Sequence, residues 1–361
     1  MDYQTIIDGQ LDSMDLSGLE SMMSDAAGQG GIFGDMTVEQ IINSMINGRP
    51  IFDTDSIIKN LTDLFLMEVR SSVFIGCEIL AICIVTGLLT NFSNTFGSKT
   101  VSSLGTMICG IIITALCIGN FYQTYDYCSS TIGTMASAME ILLPIMIPLL
   151  ISMGGISSGS IMDPVMAGAV TGFDFLMQHV VLPLVFLSAV FVMINGLTEK
   201  DYVKKLSTFL RKGAIFLTGL MITIFTGITA VQGIVTKSAD GILIDTAKFS
   251  IDNFVPIVGG FAADSLDMVL SCIGLIKNAV GVIGIIILLS LLAGPVVKIL
   301  SVAVVYKLIA IAAEPVAPKN ISDSLNEIGN AAVTMTVVLA TGAFMFLIFI
   351  TIIMGMVGGS L

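Results

Sequence analysis

Residues 230–284 read AVQGIVTKSADGILIDTAKFSIDNFVPIVGGFAADSLDMVLSCIGLIKNAVGVIG, and this stretch decides the fold. It places five charged side chains between segments that are apolar enough to cross a lipid bilayer: Lys237, Asp240, Asp245, Lys248 and Asp252. The sequence PIVGG at 256–260 then interrupts the helical pattern, and Lys277 follows inside the next apolar run. Polar groups at membrane depth raise the free energy unless something compensates for them. The stretch therefore predicts membrane helices with breaks, and it is the first place to look for function.

The composition of the whole chain is typical of a membrane protein. Of its 361 residues, 55% are hydrophobic and 12% are charged, and the charged fraction is about half of that in soluble domains. Residues 1–70 carry twelve acidic against three basic side chains, whereas residues 71–361 carry fifteen against twelve. We therefore divide the chain into an acidic segment, 1–70, and a membrane domain, 71–361. No basic patch indicates nucleic acid as a partner.

The acidic segment has two parts. Residues 1–35 show no clear apolar period and are expected to be flexible. Between 37 and 67, apolar residues recur at helical spacing and predict two short amphipathic helices, separated by a break at Pro50.

Apolar segments of about twenty residues, the length that crosses 30 Å of hydrocarbon, follow one another in the membrane domain. We expect an all-α, polytopic helix bundle with roughly seven spans, in which some helices are broken by proline and glycine. The clearest spans are 72–90, 101–121, 214–235, 279–297 and 331–357. Pro144 and Pro148 are expected to interrupt the helix at 139–153, and Pro183 to kink or divide the helix at 164–197.

The orientation in the membrane follows from the segment 198–212. It holds five basic residues, and the positive-inside rule therefore places it in the cytoplasm and the acidic segment 1–70 outside. Tyr122, Tyr125 and Tyr127 are expected to anchor a loop at the membrane surface, with Cys128 beside them as the cysteine most exposed to water. The chain has one histidine and no Cys-x-x-Cys pair, so neither zinc nor another cofactor is expected.

Four ionisable residues fall inside predicted spans: Glu78, Glu140, Asp174 and Lys277. An unpaired charge at a helix centre costs on the order of 2.5–3.5 kcal/mol. In one interpretation these residues line a polar pathway or pair between helices, with Glu78 or Glu140 bound to Lys277. In the other, each lies near an interface, where a lysine reaches the headgroups along its own stem. The sequence leaves both interpretations open.

The charged cluster at 237–252 also has two interpretations. Asp245, Lys248 and Asp252 share one helical face, which favours an interfacial helix that lies on the membrane. A gate or a partner-docking surface requires the same features.

A catalytic hypothesis uses Ser157 or Ser158 as a nucleophile and His179 as its base, as in an intramembrane hydrolase. The alternative is a Gly-Ser-rich turn between helices and a histidine that is bonded within the bundle. Because no oxyanion site is indicated by the sequence, we do not expect an enzyme.

The region around the charged cluster resembles the stage III sporulation protein AE family. The resemblance is carried by Gln232-Gly233, Asp240-Gly241, Ala247-Lys248-Phe249, the run from Val255 to Gly260, and the run from Lys277 to Gly281. Leu143-Pro144 and Glu314-Pro315 also fit, and the resemblance covers most of 70–361.

This resemblance implies a multi-pass protein in the mother-cell membrane that surrounds the forespore. It implies membership of a multi-protein channel complex with other stage III sporulation membrane proteins, which links mother cell and forespore and supports late forespore development. The alternative is a permease-like subunit that itself conducts small solutes. The resemblance assigns no catalytic residue.

Overall fold

The chain is all-helical in the computed structural model, which describes residues 17–28, 37, 40–41, 44, 54–96, 99–198, 202–254 and 259–356. The helices are α1 (Ser17–Gly28), α2 (Thr54–Phe96), α3 (Lys99–Ser152), α4 (Ile156–Leu176), α5 (Leu182–Gly196), α6 (Lys204–Phe254), α7 (Gly259–Ala313) and α8 (Lys319–Gly355). A π-helical turn, Met177–Val181, joins α4 to α5. The predicted all-α fold is confirmed.

Six helical segments in the described part of the chain are long and apolar enough to cross a membrane. They are Asp55–Thr90, Leu104–Ser152, Pro164–Gly196, Lys204–Val231, Val269–Ala313 and Lys319–Gly355. The multi-pass architecture is thereby confirmed, with fewer such helices than the roughly seven spans expected from the length of the apolar runs. The difference arises because expected neighbours, such as 101–121 and 139–153, are joined in one helix, α3.

Pro144 and Pro148 do not break their helix as expected, whereas the break expected at 256–260 falls largely outside the described residues. Pro144 and Pro148 lie inside α3, and Pro295 lies inside α7. A proline removes one backbone donor and crowds the preceding turn, but membrane helices tolerate this loss when neighbouring helices support them. The break occurs instead at Gly154, whose φ of 91° is a conformation that favours glycine. The turn there reverses the chain between α3 and α4.

Pro183 alters its helix without ending it. The π-helical turn Met177–Val181 lies immediately before it, and the N–H of Leu182 donates to the carbonyl of Met177, five residues back. Because proline has no N–H for the carbonyl of His179, a local π turn is one of the adjustments that membrane helices make. The expected kink at Pro183 is thus a π turn within a continuous helical rod.

Helices α7 and α8 form the centre of the bundle. They pack against each other, and α2, α3 and α5 contact this pair from outside. Ile283 and Ile287 of α7 and Leu339 of α8 are buried, and the rings of Phe173 and Phe346 meet edge to face at 5.5 Å between centroids. The core is therefore apolar and closely packed.

The N-terminal segment departs from expectation in two ways. Residues 17–28 form helix α1, which packs against α3 and α7 and buries Leu19 completely, so the expectation of flexibility is wrong there. The second amphipathic helix expected before residue 67 is the first part of α2, which continues through residue 70 without interruption. That segment 1–70 lies outside the cytoplasm stays a prediction.

The tyrosines expected in a loop lie inside α3. Tyr125 contacts Phe186 of α5 at 5.3 Å between ring centroids, and Tyr122 packs against the same ring at 5.9 Å. Cys128 is buried, with its thiol 3.9 Å from a backbone carbonyl of α8. Its expected exposure to water is wrong, because the helix turns this position toward the core.

Candidate functional site

Lys277 is the charged side chain that lies deepest in the described core. It is located on α7 and has an exposed fraction of 0%. Its amine donates a hydrogen bond to the backbone carbonyl of Met356, at the end of α8. No ion pair joins Lys277 to a carboxylate among the described side chains. The amine is therefore satisfied by a backbone carbonyl at the end of α8. The pair with Glu78 or Glu140, which one of the two interpretations of the sequence included, is not formed.

None of the three acidic candidates forms an ion pair with Lys277 among the described side chains. Glu78 is exposed on α2, and Glu140 is exposed on α3. Asp174 is half-buried on α4 and accepts a hydrogen bond from Gln178 one turn later. The four ionisable residues are thus distributed over four helices and do not converge on one site.

The four ionisable candidates do not line either of two cavities in the bundle. One, of about 460 Å³, lies between the start of α1 and the proline-containing part of α3, and its lining includes Gly18, Pro144 and Pro148. Another, of about 200 Å³, is lined by Tyr127, by hydroxyl side chains of α3 and by α7. Neither cavity includes an acidic side chain or Lys277 in its lining.

A polar cluster that the sequence did not indicate joins α5, α6 and α8, and we call it the α5–α6–α8 clasp. Its centre is Arg211 of α6, whose guanidinium lies 2.6 Å from the carboxylate of Glu327 on α8. Asn330 also donates to that carboxylate at 3.3 Å. Ser324 of α8 donates to the carbonyl of Val192 in α5 at 3.2 Å. The clasp ties the segment expected in the cytoplasm to the beginning of α8.

The clasp gives a first testable prediction. Arg211→Glu should lower the free energy of unfolding by at least about 1.5–3 kcal/mol, the range for a hydrogen bond to a charged group, because it places two carboxylates together. Glu327→Arg alone should act in the same direction. The double variant should recover most of the loss, measured by thermal unfolding in detergent. Losses that simply add in the double variant would contradict a direct pair.

The charged residues at 237–252 occupy the C-terminal part of α6. Lys237, Asp240, Asp245, Lys248 and Asp252 follow the apolar span Lys204–Val231 within one helix. Their side chains lie outside the described part of the structure, so a docking role stays a prediction. An interfacial position for this part of α6 likewise stays a prediction.

The serine–histidine pair of the catalytic hypothesis is not assembled. Ser157 and Ser158 open α4, and His179 follows about twenty residues later in the same helical rod, which places the positions about 30 Å apart along the axis. A nucleophile and its base must lie within hydrogen-bond reach. His179 instead stacks on Phe175 at 4.7 Å between ring centroids.

Comparison with known proteins identifies a family that covers most of the chain. The stage III sporulation protein AE family matches residues 36–357. Stage III sporulation protein AE of Bacillus subtilis (strain 168) is 32% identical over 308 residues, which cover 85% of this chain and 77% of that protein. No solved structure matches the chain. The predicted resemblance is confirmed, and the chain belongs to the stage III sporulation protein AE family.

Proposed function

We propose that the protein is a non-enzymatic, integral membrane component of a sporulation channel complex that links mother cell and forespore. It would reside in the mother-cell membrane around the forespore and act with other stage III sporulation membrane proteins. Family membership supports the sporulation role, and the six apolar helices support residence in the bilayer.

The observation that carries a structural role is the separation of the ionisable residues. Glu78 and Glu140 are exposed on different helices, Asp174 bonds within α4, and Lys277 is enclosed between α7 and α8. A polar pathway through one chain requires polar groups that face a common cavity. The described core is instead filled by apolar side chains. A component whose outer surface binds partners fits these features better than a conduit formed by one chain.

Lys277 favours a second candidate function, a permease-like conduit for small solutes. A buried lysine at membrane depth is a functional hypothesis in its own right. Its bond to Met356 closes the junction between α7 and α8. A conduit would require this junction to open so that the amine faces a solute.

Recovery of the partners tests the channel-complex proposal directly. The tagged full-length chain, expressed in sporulating cells and extracted in mild detergent, should bring down other stage III sporulation membrane proteins. The control is an equally abundant, identically tagged multi-pass protein from the same cells. Recovery of the same proteins with the control, or of no sporulation membrane protein with this chain, would contradict the proposal.

A further inference from the structure

The outer face of α2 carries a regular row of exposed residues, which we call the α2 seam. Its members recur at alternating intervals of three and four residues: Met67, Ser71, Phe74, Glu78, Ala81, Val85 and Leu88. The opposite face of α2 packs on the bundle, where Gly76 meets Val305 and Ile309 of α7. Such spacing keeps one stripe of a helix facing a partner helix.

The carboxylate of Glu78 makes contact between the α2 seam and lipid hydrocarbon energetically unfavourable. Phe74 is 71% exposed and Val85 is 49% exposed, so the carboxylate of Glu78 lies among apolar side chains on an apolar helix. A charge that faces hydrocarbon is costly, and such residues pair with a partner group. The seam therefore requires a neighbour with an apolar surface and a cationic group.

The first half of α6 offers that chemistry on the same chain. A second row with the same spacing, the α6 seam, is exposed there and on the bend just before it: Tyr202, Lys205, Phe209, Lys212, Phe216 and Gly219. Phe209 is 71% exposed and Phe216 is 68% exposed. The two lysines lie one heptad apart on either side of Phe209, so aromatic rings alternate with positive charges. The row complements the α2 seam in both charge and apolar character.

The two seams also lie at matching levels of the bundle. Gly87 contacts Val316 in the turn before α8, and Glu78 lies nine residues earlier on α2, about 13 Å above that turn. Arg211 binds Glu327, which lies eight residues into α8, about 12 Å above the same turn. Lys212 therefore lies near the level of Glu78, as copies in one membrane require. The seams run in opposite directions, because α2 descends toward the turn and α6 rises from it.

We propose that copies of this chain associate side by side through the α2 seam of one copy and the α6 seam of the next. Within one chain, α2 packs against α3 and α7, whereas α6 packs mainly against α5 and α8, so the seams lie on different flanks. The contact is heterologous, and each copy retains one free seam of each kind. Such contacts repeat and build a ring or an array in the membrane. Glu78 pairs with Lys205 or Lys212 of the neighbour.

Cysteine cross-linking of the full-length chain in lipid vesicles tests this contact. Cys77 is exposed beside Glu78, and Phe209→Cys places a second thiol on the α6 seam. Oxidation of this variant should give a ladder of dimers, trimers and larger species, because each copy can be linked on both sides. Leu187→Cys, exposed on α5, is the control and should give no ladder. A ladder with both variants, or with neither, would overturn the contact.

The natural chain and a charge exchange complete the test. A strong disulfide dimer through Cys77 alone would indicate a symmetric α2–α2 contact and overturn the heterologous one. Glu78→Lys should reduce the ladder about tenfold, the effect of roughly 1.4 kcal/mol, and the further exchange of Lys205 and Lys212 for glutamate should restore it. An amount of cross-linked oligomer that does not change with these substitutions would contradict the pairing of Glu78 with Lys205 or Lys212. Because the vesicles contain this chain alone, failure here is distinct from failure of the channel complex.

Discussion

Gly87→Ala is expected to lower the thermal stability of the purified protein more than any other single-methyl substitution in α2. A Cβ atom at this position would lie within van der Waals overlap of the backbone of Val316, 2.7 Å from its carbonyl carbon. The turn cannot move aside easily, because the N–H of Val316 and that of Ala317 both donate to the carbonyl of Ala313. Helix α2 must therefore move away from the turn.

The size of this effect follows from two opposing terms. Alanine in place of glycine favours a helix by up to about 1 kcal/mol. Forcing an extra methyl group into a packed site costs about 1–3 kcal/mol and occasionally more. The cost at Gly87 should lie at the upper end of this range, because the atoms that the methyl group meets belong to the backbone of Val316 and cannot change rotamer. Ile79, Cys83 and Thr86 are buried on the same face and would lose contacts as α2 shifts. The net free energy of unfolding should therefore fall, and Gly87→Val should lower it further.

Gly119→Ala is the matched control for Gly87→Ala. Gly119 lies inside α3, and a Cβ atom there would meet no atom within 4 Å. Its substitution should leave the thermal midpoint in detergent unchanged or raise it slightly, through the gain in helix propensity. Equal midpoints for the two variants would contradict the close approach of α2 to the turn before α8.

The class of fold is predictable from the sequence because it depends on local composition. Runs of about twenty apolar residues have few alternatives to membrane helices. The helix ends are less predictable, because they depend on neighbours. Pro148 in α3 and Pro295 in α7 look like breaks in isolation, yet both lie in helices that the surrounding bundle supports. Gly154, where α3 does end, adopts a positive φ that follows from its place in a tight turn.

The contacts of the polar residues are even harder to predict from the sequence than the helix ends. Arg211 and Glu327 are 116 residues apart in the chain, and no local pattern pairs them. Lys277 was recognised as unusual from its apolar surroundings, but its partner is a backbone carbonyl at Met356, which every residue possesses. In the sequence, only charged side chains are visible as candidate partners for this lysine. Unusual residues can therefore be identified from the sequence by their type. Their hydrogen-bond partners depend on how the helices pack and cannot be identified in this way.

Lys277→Met is expected to be at least as stable as the natural chain, whereas Lys277→Ala should be clearly less stable. Burial of a lysine ammonium costs on the order of several kcal/mol, and methionine removes this cost. Methionine fills the space of the lysine stem but leaves the carbonyl of Met356 without this donor, at a cost of about 1–3 kcal/mol. Alanine leaves a cavity as well, which adds about 2–5 kcal/mol. Thermal unfolding of the three proteins in detergent measures this order, and equal losses for methionine and alanine would contradict it.

The same Lys277→Met variant separates the two candidate functions. If the protein acts through its surfaces, a side chain enclosed between α7 and α8 matters only for packing, so the variant should assemble with its partners and support a normal yield of spores. A conduit that uses the amine for a solute would lose spore formation while assembly, measured by co-purification, stays intact. Lys277→Arg sharpens the comparison, since it keeps a positive charge but adds volume to a packed site. Assembly with a spore yield reduced only in the methionine variant would overturn the structural role, because charge would then matter where packing does not.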